Sequence, residues 1–226
     1  MGEAPLAPEG KALIFDMDGV IVHSTPLHTE AWQRYLRRHG IDVPREKIEA
    51  EMLGRHNDEI VEIFFGPGLP REERFRHGAE KEKLYRELMK PRLEEYLVPG
   101  VRQFLARNAA RPLALASNAE PANVEFILAE SGLRPYFRVV LDGHQVENPK
   151  PDPEIYLLAA RLLHVRPADC IVFEDSETGV RAAKSAGAAV VGLTTTTDRL
   201  ADCDLVIADF RDPQLAEWLA AFQPVG

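Results

Sequence analysis

Cysteine is scarce in this chain. Cys170 and Cys203 form no CxxC pair and no spaced framework, which excludes a disulfide-stapled fold and thiolate metal clusters and fits a reducing compartment. Long hydrophobic runs are missing as well. No window holds 18 consecutive apolar residues, so no membrane-spanning helix is expected. The opening stretch MGEAPLAPEGK has a glutamate at position 3 and no apolar segment behind it, which predicts no signal peptide and a cytoplasmic location. Positive charge is in deficit. With 27 Lys and Arg against 36 Asp and Glu, the net charge is −9. That balance repels a phosphate backbone and argues against a nucleic-acid partner, yet leaves room for a small anion at a locally positive spot. There is no internal repeat, and TTTT at 194–197 is too short to carry meaning.

What is present is ordinary globular material, 45% apolar and 28% charged over 226 residues, enough for one or two domains with a large core. Short apolar runs recur as ALIF, LALA, RVVL, CIVF, AAVVGL and DLVIA, each the length of a strand buried on both faces. Helical patterns lie between them. PANVEFILAESG opens with Pro121 in a first-turn position and stops at Gly132, and DPEIYLLAARLLHV keeps helical spacing. Alternation of strand and helix from residue 99 onward requires parallel pairing with right-handed crossovers. The expected fold class is therefore α/β, a three-layer Rossmann-like core around a parallel sheet. Residues 26–96 break the rhythm. They read as successive helices, and 25 of the 56 residues from 41 to 96 are charged, which predicts amphipathic helices solvated on one side. The expected division is 1–25 and 97–226 for the core and 26–96 for an inserted α-helical cap.

The chemically interesting side chains each follow an apolar run. Asp16 and Asp18 follow ALIF, Ser117 and Asn118 follow LALA, and Glu174 and Asp175 follow CIVF, while Lys150 in NPKPDPE precedes a helix. In a parallel sheet those positions share one edge. Carboxylates, one ammonium and one hydroxyl, without a histidine or cysteine ligand pattern, favour a hard cation such as Mg2+. A phosphate monoester suits the same set, because one carboxylate can attack phosphorus while a second, two residues on, shuttles the proton. Each group also has a plainer reading. Ser117 with Glu120 matches an S-x-x-E capping box, and Asp175 or Ser176 fits as the cap of the helix after CIVF.

Together, DMDGV, LASN, the lysine of NPKPDP and FEDSETGVRAAKSAG resemble the four motifs of the haloacid dehalogenase superfamily, across residues 12 to 193. The resemblance implies Asp16 as nucleophile, Asp18 as acid/base, Ser117 as phosphate binder and Lys150 as positive clamp. It implies Mg2+ on Asp16, Asp175 and the backbone carbonyl of Asp18, with Glu174 assisting directly or through water. The insertion resembles the helical cap of the subfamily containing β-phosphoglucomutase and sugar-phosphate phosphatases. Within that pattern His28 matches a mutase histidine near the hinge, and equally a first-turn helix residue. Asn57 stands where those mutases carry an arginine, with Arg55 as its replacement, and His23 occupies a usual aspartate position. Asn118 joins His28 and Arg55 as the expected substrate contacts. These departures favour a phosphatase of small phosphorylated metabolites, expected as a monomer, over a mutase. True dehalogenases lack the acidic pair that holds magnesium. A phospho-receiver module places its phosphorylated aspartate later, in a shorter chain without such an insertion.

Overall fold

The computed structural model describes residues 11–52, 55–197 and 199–222. The reading of the first ten residues as free of a leader, and Gly54 beside Arg55, lie outside them. Six strands, β1 (Ala12–Phe15), β2 (Leu113–Ala116), β3 (Val139–Leu141), β4 (Cys170–Glu174), β5 (Ala189–Leu193) and β6 (Leu205–Ile207), form one parallel sheet in the order β3-β2-β1-β4-β5-β6. The α/β class with its inserted helices is the one expected from the apolar runs. The chain leaves β1 toward β2 and β3, then returns to its other side for β4, β5 and β6. β1 is thus the point where the winding reverses, and in such sheets ligands gather at the carboxyl edge there.

β1 is buried throughout, and its alternation sorts the two faces. Ala12 and Ile14 join Ala114, Ala116, Val172, Ile155, Tyr156 and Ala159 in one core. Phe15 points to the other face, where it stacks on Phe173 at 4.7 Å between ring centroids and meets Phe104, Phe137 and Phe210. Truncating such a ring to alanine typically costs about 3–5 kcal/mol. The helices of this unit are α5 (Leu93–Tyr96), shared with the end of the insertion, α6 (Val101–Arg107), α7 (Pro121–Glu130), α8 (Glu154–Leu163), α9 (Glu177–Ser185) and α10 (Pro213–Ala221). α7 starts at Pro121, with Glu120 in the cap position. The S-x-x-E box is therefore not realised: Ser117 lies before the loop, where its Oγ accepts from the Ala119 amide at 3.1 Å. Ser176 does cap α9, accepting from the Gly179 amide at 3.1 Å.

A second compact unit comprises Ser24–Leu93, the rest of the chain forming the first. It contains α1 (Thr25–Arg38), α2 (Arg45–Met52), α3 (Asn57–Phe65) and α4 (Arg71–Met89). α1 buries Leu27, Trp32 and Leu36, and α3 buries Ile60 and Val61. α4 keeps a solvated face, exposing Glu72, Arg76, Glu80, Lys83 and Glu87. Besides Leu84, Tyr85 and Met89 it buries the adjacent charges Lys81 and Glu82.

Candidate active site

β1 and β4 run in register with Phe15 beside Phe173, so the next residues, Asp16 and Glu174, emerge side by side. The Asp16 amide donates to the Phe173 carbonyl at 3.0 Å, carrying the ladder one step past the strand. Two buried carboxylates so placed repel strongly unless a cation divides them. Lys150 is that cation. Its Nζ donates to Asp16 Oδ1 at 2.6 Å, to Glu174 Oε1 at 2.7 Å and to the Ala116 carbonyl at 2.9 Å, which uses all three ammonium protons. Burial alone would depress the lysine pKa, but the two carboxylates override it and hold the pKa above the ordinary value.

The carboxylates outnumber that single cation. Burial drives the Asp16 pKa well above its usual range; Lys150 opposes the shift, and Glu174, Asp175 and Asp18 add to it. Asp175 is pushed up to about 7, by burial first and then by Glu174, with Asp18 contributing and the Thr196 hydroxyl and Lys150 opposing. Such an oxygen-only set with surplus negative charge suits Mg2+, which is held by one or two carboxylates and keeps several waters. Among the described residues, no three His, Cys, Asp or Glu side chains close into a ready-made metal cage.

The remaining predicted residues of this unit surround the same edge. After Asp16 the chain folds tightly, with the amides of Val20, Ile21 and Val22 all donating to the Met17 carbonyl. Gly19 sits at φ +78°, and a Cβ there would lie 1.9 Å from Asp175 Oδ2, so the loop carrying Asp18 runs directly against Asp175. Ser117 is buried just past β2, its amide bonded to the Leu141 carbonyl at 3.1 Å. Asn118 Oδ1 accepts from the Lys150 amide at 3.3 Å and so ties the β2 loop to the lysine loop.

The region from residue 11 to 187 matches the family model described as haloacid dehalogenase-like hydrolase. The chain belongs to that family. This hydrolase is 37% identical over 183 residues to the phosphorylated carbohydrates phosphatase of Thermotoga maritima, covering 78% of this chain and 82% of the relative. It is 33% identical over 176 residues to the fructose-1-phosphate phosphatase YqaB of Escherichia coli K12, covering 77% and 92%. The crystal structure of a β-phosphoglucomutase from Clostridium difficile superposes with a TM-score of 0.79 at 27% identity, covering 93% of this chain and 96% of the other.

His28 and Arg55 of the hydrolase belong to the helical unit. His28 is half-buried, stacks on Tyr85 with ring centroids 3.7 Å apart, and lies 3.2 Å from Lys81 Nζ through Nδ1. Burial, then Lys81, depress its pKa to about 3 against the pull of Glu82. His28 is therefore neutral near pH 7 and accepts from the lysine, and its 3.7 Å approach to Glu82 is not an ion pair. Lys81 also donates to Glu82 at 2.5 Å, and Asn57 Nδ2 donates to the same Oε1 at 2.8 Å. Burial would raise the Glu82 pKa, but Lys81 and its other partners hold it below the usual range. Arg55 is exposed and turned back onto α2, donating to the Glu51 carbonyl and carboxylate, each at 2.9 Å.

Three contributors have no role in the reading by motif. Tyr156, at a helical core position, donates from its hydroxyl to Glu174 Oε1 at 2.5 Å. The TTTT stretch, which has no meaning as a composition signal, supplies Thr195 to the Gly19 carbonyl at 2.5 Å and Thr196 to Asp175 Oδ2. Gly179 in α9 is required by space, since a Cβ there would sit 1.9 Å from Glu174 Cδ.

Proposed function

We propose that the protein is a Mg2+-dependent phosphatase of small phosphorylated metabolites, sugar phosphates foremost, working through an aspartyl phosphate on Asp16. The observation that carries this reading is Lys150 bonded to Asp16 Oδ1 at 2.6 Å and to Glu174 Oε1 at 2.7 Å at the carboxyl edge of β1 and β4. An aspartate bonded to a lysine is an oriented nucleophile next to a positive charge, as attack on an anionic phosphoryl group demands.

In this mechanism the free lone pair of the Asp16 carboxylate attacks phosphorus in line with the ester oxygen. The P–O bond to the alcohol breaks, and Asp18 protonates the departing oxygen. Asp18 then takes a proton from water as that water attacks the aspartyl phosphate, which releases inorganic phosphate and restores Asp16. Ser117 contributes its hydroxyl to a phosphoryl oxygen, and Asn118 keeps the Lys150 loop in place. Asp16, Asp175 and the Asp18 carbonyl, with Glu174 near, would hold Mg2+, which would supply charge neutralisation and orientation for the phosphoryl oxygens. Dividing hydrolysis into two displacements lowers the barrier of a reaction that is among the slowest known uncatalysed ones.

Hydrolysis is preferred over phosphosugar transfer because of Asn57. Its neutral amide, engaged with Glu82, offers no guanidinium for a second phosphate. A panel of phosphomonoesters assayed for phosphate release with Mg2+ tests the reading. Release from sugar phosphates is expected. Rapid conversion of β-glucose 1-phosphate to glucose 6-phosphate, in the presence of a bisphosphate primer, would establish the mutase instead.

A further inference from the structure

Glu174 is saturated from within the protein. Oε1 accepts from Lys150 Nζ at 2.7 Å and from the Tyr156 hydroxyl at 2.5 Å. Oε2 accepts from the Asp175 amide at 3.1 Å, the Ser176 amide at 3.3 Å and the Ser176 hydroxyl at 3.1 Å. A carboxylate has about four lone-pair sites, so five donors leave this one little freedom. Four of the five belong to residues that a chemist would expect here: the lysine itself and the turn that presents Asp175. The fifth comes from the first turn of α8, just past its cap residue Pro153, and it is the one whose purpose the catalytic scheme does not use.

Tyr156 is fully buried, and its ring lies beneath Lys150 with Nζ 4.8 Å from the centroid. The ring and the hydroxyl therefore address the same lysine by two routes, one by cation–π contact and one through Glu174. Removal of the hydroxyl would leave Glu174 Oε1 with Lys150 as its one remaining donor among the described residues. The ammonium would then be drawn toward Glu174 at the expense of its bond to Asp16, because one cation is shared between the two carboxylates.

We infer that Tyr156 is a positioning residue for the reaction: its hydroxyl holds Glu174 so that Lys150 stays centred on Asp16. The inference rests on the phosphatase reading above and adds to it the balance of the lysine between two carboxylates. Tyr156 touches neither substrate nor the reacting atoms in this scheme, and acts only through its partner.

A double-mutant cycle with Tyr156→Phe and Glu174→Gln tests it, with kcat and KM measured on the best substrate and thermal unfolding of each variant recorded alongside. Phe keeps the ring and its packing, so the fold is retained while one hydroxyl is lost. The expected result is a kcat lowered about 5- to 30-fold by Tyr156→Phe, KM within about threefold, and less than about twofold further loss when the same change is made in Glu174→Gln, since contacting residues acting as a unit are non-additive. Should Glu174→Gln fail to fold, Lys150→Gln serves as the second background, where the same chain of contacts ends. Equal fold-losses in both backgrounds, or an unchanged kcat with a lowered unfolding temperature, would show that Tyr156 merely packs and would overturn the inference while leaving the phosphatase reading standing. Absence of phosphomonoester hydrolysis by the wild type would overturn both.

Discussion

Asp16 and Glu174, more than 150 residues apart in the chain, are neighbours on adjacent parallel strands and share one lysine, with Lys150 Nζ 2.6 Å from the first and 2.7 Å from the second. Burying these two like charges side by side would be costly without a partner between them. The arrangement thus makes the charge of Asp16 depend on a lysine from a different crossover.

Replacing Asp16 by asparagine exchanges one oxygen for an amide of the same shape. Turnover is expected to fall on the order of 10³-fold or more, with the unfolding temperature within a few degrees of wild type. Activity within threefold of wild type, by phosphate release, would refute the nucleophile assignment.

Chelation should reproduce the loss caused by Asp18→Asn or Asp18→Ala. EDTA is expected to stop phosphate release and added Mg2+ to restore it. A second readout is independent of turnover: Mg2+ at 100 times its dissociation constant stabilises the fold by about 2.7 kcal/mol, and Asp175→Asn should remove most of that gain in thermal unfolding. A rate indifferent to EDTA would exclude the metal.

Glycine inside a helix normally costs about 1 kcal/mol relative to alanine, so Gly179→Ala in α9 would ordinarily stabilise. Here the sign reverses, because the added Cβ falls 1.9 Å from Glu174 Cδ and Oε1. We expect a loss of about 1–3 kcal/mol with a lowered kcat, read by denaturant unfolding and initial rates. A more stable, fully active variant would show that Glu174 can move aside.

His28 makes acid destabilising. Its folded pKa of about 3 lies below the ordinary 6.5, so the unfolded chain takes up the proton first. The contribution of the neutral histidine is complete above pH 6.5 and shrinks as pH falls toward 3. Between pH 6.5 and 5 the loss is about 1.5 kcal/mol, a window above the one in which Glu82, whose pKa is also depressed, begins to contribute. Urea unfolding should show His28→Gln losing less over that range than wild type; identical slopes would place the histidine's titration elsewhere.

The sheet and the positions of Asp16, Ser117, Glu174 and Asp175 are legible in the sequence because strand-length apolar runs end in polar clusters, and parallel pairing sends such ends to one edge; Lys150 is legible through the NPKPDP motif instead. The supporting contacts are not. Tyr156 occupies an apolar position of a helical repeat, so its ring accounts for it and its hydroxyl goes unnoticed. Lys81 and Glu82 sit in the run EKEK, where charge predicts solvent, and only the facing of α1 and α3 onto α4 decides that this pair is inside. Ser117 fits a cap by its spacing to Glu120, but Pro121 sets the helix start three residues later than the hydroxyl would need.

The place of β1 in the order β3-β2-β1-β4-β5-β6 has a consequence for motion. A strand bonded on both sides exposes its amides to deuterium only when its neighbours separate, whereas the outermost strands can open locally. The base of the Asp16 side chain therefore follows a strand that is expected to exchange with the interior of the sheet and not with its edges, β3 and β6.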